Sequence, residues 1–220
     1  REPDDLVWLI ESVQQVVDVP LCLDSANPKA LDVAIQHVHK TPLINSISAE
    51  AERLNGILPL ARDYGCSVIA LALDAKSVPT TIDGRMSVIR RLMKETRSVG
   101  IPDERVYVDP LVMTISTNSN HALIALDTIR AVRAEFPSAH ITAGLSNVSF
   151  GLPMRGLINR TFLTLALEAG LDSAILDPLD RELRAVLITT KLLLGSDRYC
   201  QNYTRAYRTG ILEPTKQHAA

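Results

Sequence analysis

Six short apolar runs in this 220-residue chain stop on a side chain that can hold a hydrogen bond. "PLCLD", "PLINS", "SVIALALD", "RVYVD", "HITAGLSN" and "SAILD" end at Asp24, at Asn45 with Ser46, and at Asp74, Asp109, Asn147 and Asp177. No histidine base stands beside Ser146, no cysteine lies near it, and nothing has metal-ligand spacing, so the pattern is not that of a serine or cysteine nucleophile or a metal centre. Carboxylates and amides with few cations and aromatics among them do not suit a phosphate. They suit a neutral, flat ring with several N–H donors, because a carboxylate takes two parallel N–H bonds from an amino-pyrimidinone edge in the geometry it uses for arginine. Facing such donors, a buried carboxylate is stabilised in its charged form. Asp24, Asn45 and Asp109 lie on runs adjacent or nearly so in order and could line one wall.

Elements that position these residues can be read from the segments between the runs. "NPKALDVAIQHVHK" (27–40) and "DGRMSVIRRLMKETRSVG" (83–100) have helical period, and Asn27-Pro28 is a cap followed by proline at the first helical position. Gly65, Gly100 and Gly170 stand where helices should stop before the next run. Runs recur every 20 to 40 residues and are apolar on both faces, as strands of a parallel sheet covered by helices are. The fold class is therefore α/β, either an open doubly wound sheet or a closed (β/α)8 barrel. No Gly-x-Gly-x-x-Gly follows a run, which weakens the dinucleotide-binding form. Any one polar strand end is an ordinary turn cap, but six in register converge on one rim of a barrel, where barrel enzymes place their sites. A barrel has eight strands and six runs are visible, so about two N-terminal βα units are expected outside this sequence.

Bulk properties exclude other classes. With 46% hydrophobic and 22% charged residues the chain reads as an ordinary soluble protein, and a net charge of −2 argues against a nucleic-acid surface. No run approaches the roughly 20 apolar residues of a membrane helix. Cys22, Cys66 and Cys200 are far apart and read as buried, reduced thiols of a cytoplasmic protein. His37 and His39, two apart at a helix end, point to different faces and do not suggest a shared metal. Lys76 and Arg85 flank the loop "AKSVPTTIDGR" and read as solvated surface; Asp74 and Asp177 read as loop caps. Asn159 and Arg160 are expected to brace the next helix, and Tyr199, Cys200 and Tyr203 to pack the last one. Residues 1–210 form one expected domain, with 211–220 a flexible tail.

"LCLDSANPKAL", "LINSISAE", "YVDPLV" and "GLSNVSFGLPMRGLINRTFL…AGLDSAILDP" resemble the pterin-binding methyltransferases, which include methyltetrahydrofolate:corrinoid protein methyltransferases and the folate domain of cobalamin-dependent methionine synthase. The resemblance spans nearly the whole chain. It implies a dihydropteroate-synthase-like (β/α)8 barrel that moves a methyl group between N5 of tetrahydrofolate and the cobalt of a corrinoid on a partner protein, with no metal bound by this chain. It further implies a homodimer. By position, Asp24, Asn45 and Asp109 match pterin-binding residues, Gly144 and Ser146 belong to the same pterin-lining strand, and Asn147 matches the asparagine that reaches N5. Arg155 matches an arginine near the outer, benzoyl-glutamate part of folate. The family's first strands, with an aspartate of a "D-x-N" block, have no counterpart here, and Phe150 follows the serine block as in methionine synthases.

This chemistry accounts for the amide. The methyl leaves a tertiary amine, so N5 needs a proton or a strong hydrogen bond in the transition state, where stabilisation raises the rate. An asparagine can donate to N5 or accept from N5–H with no charge to desolvate. Two alternatives are a dihydropteroate-synthase-like enzyme, which should show a basic pyrophosphate site where this chain has "LDPLD" (176–180), and a folate-binding module without catalysis.

Overall fold

Asn27 accepts backbone N–H bonds from Lys29 (3.1 Å) and Ala30 (3.4 Å), and Pro28 follows at the first helical position, so the helix Pro28–Ile35 starts as its sequence requires. Thr81 does the same for Ile82–Ser98, its hydroxyl accepting from Gly84 N–H at 3.1 Å. Gly65, Gly100 and Gly170 all stand at positive φ where helices end. The following N–H then turns back five residues, as in Ile101 to Thr96 and Leu171 to Ala166.

The computed structural model describes residues 1–75 and 77–212, and the chain falls into two compact units. Unit one comprises Arg1–Leu111 and Ala131–Thr142; unit two comprises Val112–Arg130 and the chain from Ala143 onward. Lys76 and the tail from residue 213 lie outside the described residues.

Unit one holds a five-stranded, all-parallel sheet in sequential order: β1 (Cys22–Asp24), β2 (Leu43–Ile47), β3 (Ser67–Leu71), β4 (Val106–Asp109) and β5 (His140–Ile141). Helices α1 (Glu2–Gln14), α2 (Pro28–Ile35), α3 (Ala51–Asp63) and α4 (Ile82–Ser98) alternate with the first strands. Ile44, Val68, Ile69, Val106 and Val108 of the strands are buried with Leu31, Ile57, Ile89 and Leu92 of the helices. Strands buried on both faces are what a helix-covered parallel sheet needs. Register is irregular at one point: Asn45 is opposite Ile69 and Ile47 opposite Ala70, so Ser46 is an extra residue in β2.

Helix α5 (His121–Glu135) starts in unit two and ends in unit one. Unit two adds α6 (Arg155–Ala169), α7 (Arg181–Leu193) and α8 (Gln201–Arg208). Here the structure departs from the sequence pattern. The run "HITAGLSN" is a strand only over His140–Ile141, and "SAILD" is reduced to an isolated parallel bridge between Ile175 and Gly144. Leu145–Ser149 winds instead into a 3-10 turn. Ser146 and Asn147 are therefore turn residues, not strand residues, because after Gly144 the backbone bonds close within three residues: Asn147 N–H to Gly144 and Phe150 N–H to Asn147.

Of the thiols, Cys66 is buried as expected, whereas Cys22 and Cys200 are exposed. Cys22 lies on the outermost strand β1, and Cys200 on the turn into α8.

Candidate functional site

In unit one, two of the three predicted pterin ligands, Asp24 and Asp109, stand at the carboxyl ends of strands, and Asn45 stands inside one. Asp24 ends β1 and is the register partner of Asn45, the third of the five residues of β2, and Asp109 closes β4 opposite Leu71 of β3. Asp24 is exposed and Asn45 half-buried, and among the described residues neither side chain is tied by a hydrogen bond within the protein. The extra residue Ser46 is buried, and such a bulge re-aims the side chains beside it.

Asp109 is 8% exposed. Burial pushes its carboxyl up to about 6, opposed by the N–H of Leu111 and by the Arg85 cation. Leu111 donates to Asp109 Oδ1 at 2.7 Å. It does so from the left-handed region (φ 62), which a leucine rarely adopts and which turns its N–H back onto the carboxylate.

Arg85 corrects the sequence reading. It is not solvated surface but 1% exposed, in the first turn of α4. Its Nε donates to the Pro79 carbonyl at 3.1 Å and its Nη1 to the Pro110 carbonyl at 2.8 Å. One guanidinium thus ties the loop after β3 to the residue that follows Asp109. A cation at a helix N-terminus opposes the helix dipole, and burial lowers its pKa, with Asp109 acting the other way. Buried there, it needs those carbonyl acceptors. A sequence signal existed: Arg85 shares the i, i+4, i+7 stripe with the buried Ile89 and Leu92.

The remaining strand-end carboxylates are caps. Asp74 accepts from Ala75 N–H at 2.8 Å and Asp177 from Leu179 N–H at 2.9 Å.

Unit two brings together Gly144, Ser146, Asn147 and Arg155. A Cβ on Gly144 would lie 3.0 Å from Asn147 Nδ2, so the amide lies over the glycine. Asn147 is exposed, and its side chain has no hydrogen-bond partner among the described residues. The turn beneath it is held firmly. Arg155, at the start of α6, donates from Nε to Ser149 Oγ (3.1 Å) and from Nη2 to the Ser146 carbonyl (2.8 Å). Its guanidinium also stands 5.8 Å from the centre of the exposed Phe150 ring. Ser149, fully buried, donates to Asn159 Oδ1 at 2.7 Å. Ile115 N–H bonds the Val148 carbonyl, and Thr114 Oγ1 the Phe150 carbonyl.

Ser149 and Asn159 were not read as a pair from sequence, because a buried hydroxyl ten residues from its acceptor has no periodic signature. Asn159 braces the turn, while Arg160 does brace the next helix, pairing with Glu182 and standing 3.9 Å from Asp180 at the start of α7. Tyr199 and Cys200 are exposed rather than packed. Asp197 caps α8 by accepting from Asn202 and Tyr203, and Tyr199 and Cys200 in the turn between are left-handed (φ 57 and 56).

Comparison with known proteins bears on this arrangement. The family described as pterin binding enzyme matches residues 1–177. The chain is 35% identical over 217 residues to a methylcorrinoid:tetrahydrofolate methyltransferase of Eubacterium limosum, covering 98% of this chain and 80% of that protein. It is 31% identical over 183 residues to methionine synthase of Mycobacterium leprae (strain TN), which covers 78% of this chain but only 15% of that protein. Among solved structures, Yersinia pestis DHPS with a pterine–sulfa conjugate aligns with a TM-score of 0.68 at 18% identity, over 87% of this chain and 76% of that one. A Coxiella burnetii dihydropteroate synthase in complex with pteroic acid aligns with a TM-score of 0.65 at 15% identity, over 86% and 74%. These likenesses establish a dihydropteroate-synthase-like α/β barrel fold. By the matched family and the relative aligned over 98% of it, the chain belongs to the pterin-binding enzymes, among their methyltransferases.

Proposed function

We propose that this protein moves a methyl group between N5 of tetrahydrofolate and the cobalt of a corrinoid carried by a partner protein. The observation that carries the reading is 35% identity, over 98% of the chain, to a protein named for methylcorrinoid:tetrahydrofolate methyl transfer. In this reading Asp24, Asn45 and Asp109 take the N–H-rich edge of the pterin. Asp109 is suited to that edge: its Oδ1 is occupied by Leu111 N–H, and a second donor group stabilises the carboxylate that burial disfavours. Gly144 and Ser146 line the pterin, and Gly144 leaves the room that the Asn147 amide uses.

Asn147 is the catalytic residue of the proposal. Its uncharged amide bonds N5 as the methyl leaves or arrives, donating to the bare nitrogen or accepting from N5–H. Arg155 holds the turn that carries it and offers its remaining N–H donors to the outer part of folate. The nucleophile is the reduced corrinoid, so no side chain of this protein attacks, and the protein's work is to position two large molecules in line.

Residues 1–210 act as one pterin-binding domain in this reading. A homodimer fits the apolar face of unit two, where exposed Leu157 and Leu165 border a cleft of about 260 Å³ with Ile115, Val148 and Phe162. The free thiols fit the cytoplasm. Among the described residues, no helix is long and apolar enough to cross a membrane. The dihydropteroate-synthase reading is weaker: its support is fold likeness at 18% identity, and Asp177 and Asp180 of "LDPLD" face backbone N–H groups.

Mixing the protein with methyltetrahydrofolate and cob(I)alamin should give the methylcobalamin spectrum, and methylcobalamin with tetrahydrofolate the reverse. A protein that binds folate and changes neither spectrum is a binding module, and the methyltransferase reading fails.

A further inference from the structure

The segment 181–212 carries six cations against two carboxylates, a net charge of +4 in a chain whose total is −2. Arg181, Arg184, Lys191, Arg198, Arg205 and Arg208 are all exposed, and among the described residues none forms an ion pair. The two carboxylates are engaged elsewhere: Glu182 pairs with Arg160, and Asp197 accepts backbone N–H bonds at the start of α8. Arg181 Nη2 donates to the Gly210 carbonyl at 2.6 Å and so brings the start of α7 beside the end of α8, the helix that carries Arg205 and Arg208. Arg205 and Arg208 line an open cleft of about 340 Å³ with Tyr199, Gln201, Thr204 and Thr209. Tyr199 is 75% exposed and Tyr207 69%. Tyr199 and Cys200 hold left-handed backbone conformations that non-glycine residues seldom adopt, and Arg198 lies 4.9 Å over the Tyr199 ring.

From this we infer that the arginine–tyrosine face of the α7–α8 hairpin docks a carboxylate-rich protein surface. The inference rests on the reading that the corrinoid arrives on a partner protein, and names the surface chemistry by which that partner is met. Charge complementarity selects the occupant. Like-charged guanidinium groups without carboxylates cost stability through mutual repulsion, and an acidic surface relieves it. Exposed tyrosine and arginine together are the residues that carry protein–protein interfaces. A nucleic acid would also meet the remaining −6 of the chain, whereas a protein surface need match only the patch.

The test uses the full chain, its Arg205→Glu/Arg208→Glu variant and two methyl acceptors: free cob(I)alamin and the cobalamin-loaded corrinoid protein of the same organism. The variant is expected to lose about tenfold or more in kcat/KM on the protein-bound acceptor at low salt, to lose the salt dependence seen with the unaltered chain, and to keep its rate on free cob(I)alamin. Unchanged rates on the protein-bound acceptor, or an equal fall on both, overturns the docking surface. Binding of the fluorescently labelled corrinoid protein, followed by anisotropy, is read apart from chemistry. If the unaltered chain methylates neither acceptor, the methyl-transfer reading fails, and loss of labelled-protein binding in the variant still decides the docking surface. Equal binding of a short DNA duplex or of anionic vesicles by the unaltered chain assigns the face to another polyanion and overturns the inference.

Discussion

The amide of Asn147 stands where a side chain on residue 144 would begin, with Nδ2 3.0 Å from the position of a Cβ on Gly144. The Gly144 backbone (φ −72, ψ 87) is open to other residues, so what a side chain there would disturb is the Asn147 amide and not the backbone. Gly144→Ala should fold, with a stability change within about 1 kcal/mol, yet slow methyl transfer by displacing the amide. In a double-mutant cycle, Gly144→Ala should cost little on top of Asn147→Ala. Additive losses in single-turnover rate would show that the two residues act independently.

Asn147→Ala removes a hydrogen bond that is made chiefly in the transition state. Single-turnover transfer should slow by roughly 10² to 10³, about 2.7–4 kcal/mol, by analogy with an oxyanion-hole donor. Folate affinity, followed by calorimetry, should change far less. Matching losses in rate and affinity would make Asn147 an ordinary ligand.

Asp109 should set a pH dependence of opposite sign for binding and stability. Its carboxyl titrates at about 6 when folded, against 3.8 for a free side chain. Only the charged form keeps both oxygens as acceptors, Oδ1 for Leu111 N–H and Oδ2 for the pterin N–H edge, so folate affinity should rise as pH increases through about 6. Stability runs the other way. Between about 4 and 6 the folded protein holds a proton that the unfolded chain has released, so stability falls as pH rises across that window. The charge costs on the order of 3 kcal/mol above it. Asp109→Asn should therefore unfold at higher urea concentration at pH near 7.5, lose that advantage below about pH 4, and bind folate weakly at every pH. A variant no more stable than the parent at neutral pH would contradict the burial cost.

Arg85→Met keeps the apolar stem of the side chain but strands the carbonyls of Pro79 and Pro110. Loss of two charged hydrogen bonds should cost about 3 kcal/mol in urea unfolding. It should also weaken folate binding, because the loop after β3 and the residue after Asp109 lose their shared tie. Arg85→Lys should recover one bond and part of both losses.

Arg155 separates two roles. If it mainly holds the Leu145–Ser149 turn, Arg155→Ala lowers kcat and Arg155→Lys does not restore it, since one ammonium cannot span Ser149 Oγ and the Ser146 carbonyl as the fork does. If it mainly meets the outer part of folate, KM rises instead and lysine restores much of it. The first outcome is expected.

Much of the molecule was readable from local rules. Asn27, Gly65, Gly100 and Gly170 act within a few residues of themselves, so capping and helix-stop chemistry placed the start of α2 and the ends of α3, α4 and α6 without reference to the rest of the chain. The apolar runs likewise located β1 to β4, and the carboxylates that end them, because a strand buried on both faces must be apolar throughout. The sequence also carried the family through its ordered motif blocks.

Other features depended on partners distant in sequence. "HITAGLSN" has the composition of a strand, but only pairing decides where a strand ends. The ladder from Tyr107 and Val108 stops at Ile141, and the chain then closes on itself around Asn147. Arg85 reads as surface by its charge and as core by its spacing, and it is the carbonyls of Pro79 and Pro110 that let a cation be buried. Ser149, Asn159 and Arg155 meet only once α6 has folded back onto the turn. Residue types and spacing thus determined which elements form and which side chains end them. Tertiary structure alone decided which charges are buried, which amide is left free and what holds it in place, because burial and hydrogen-bond satisfaction are properties of assembled neighbours.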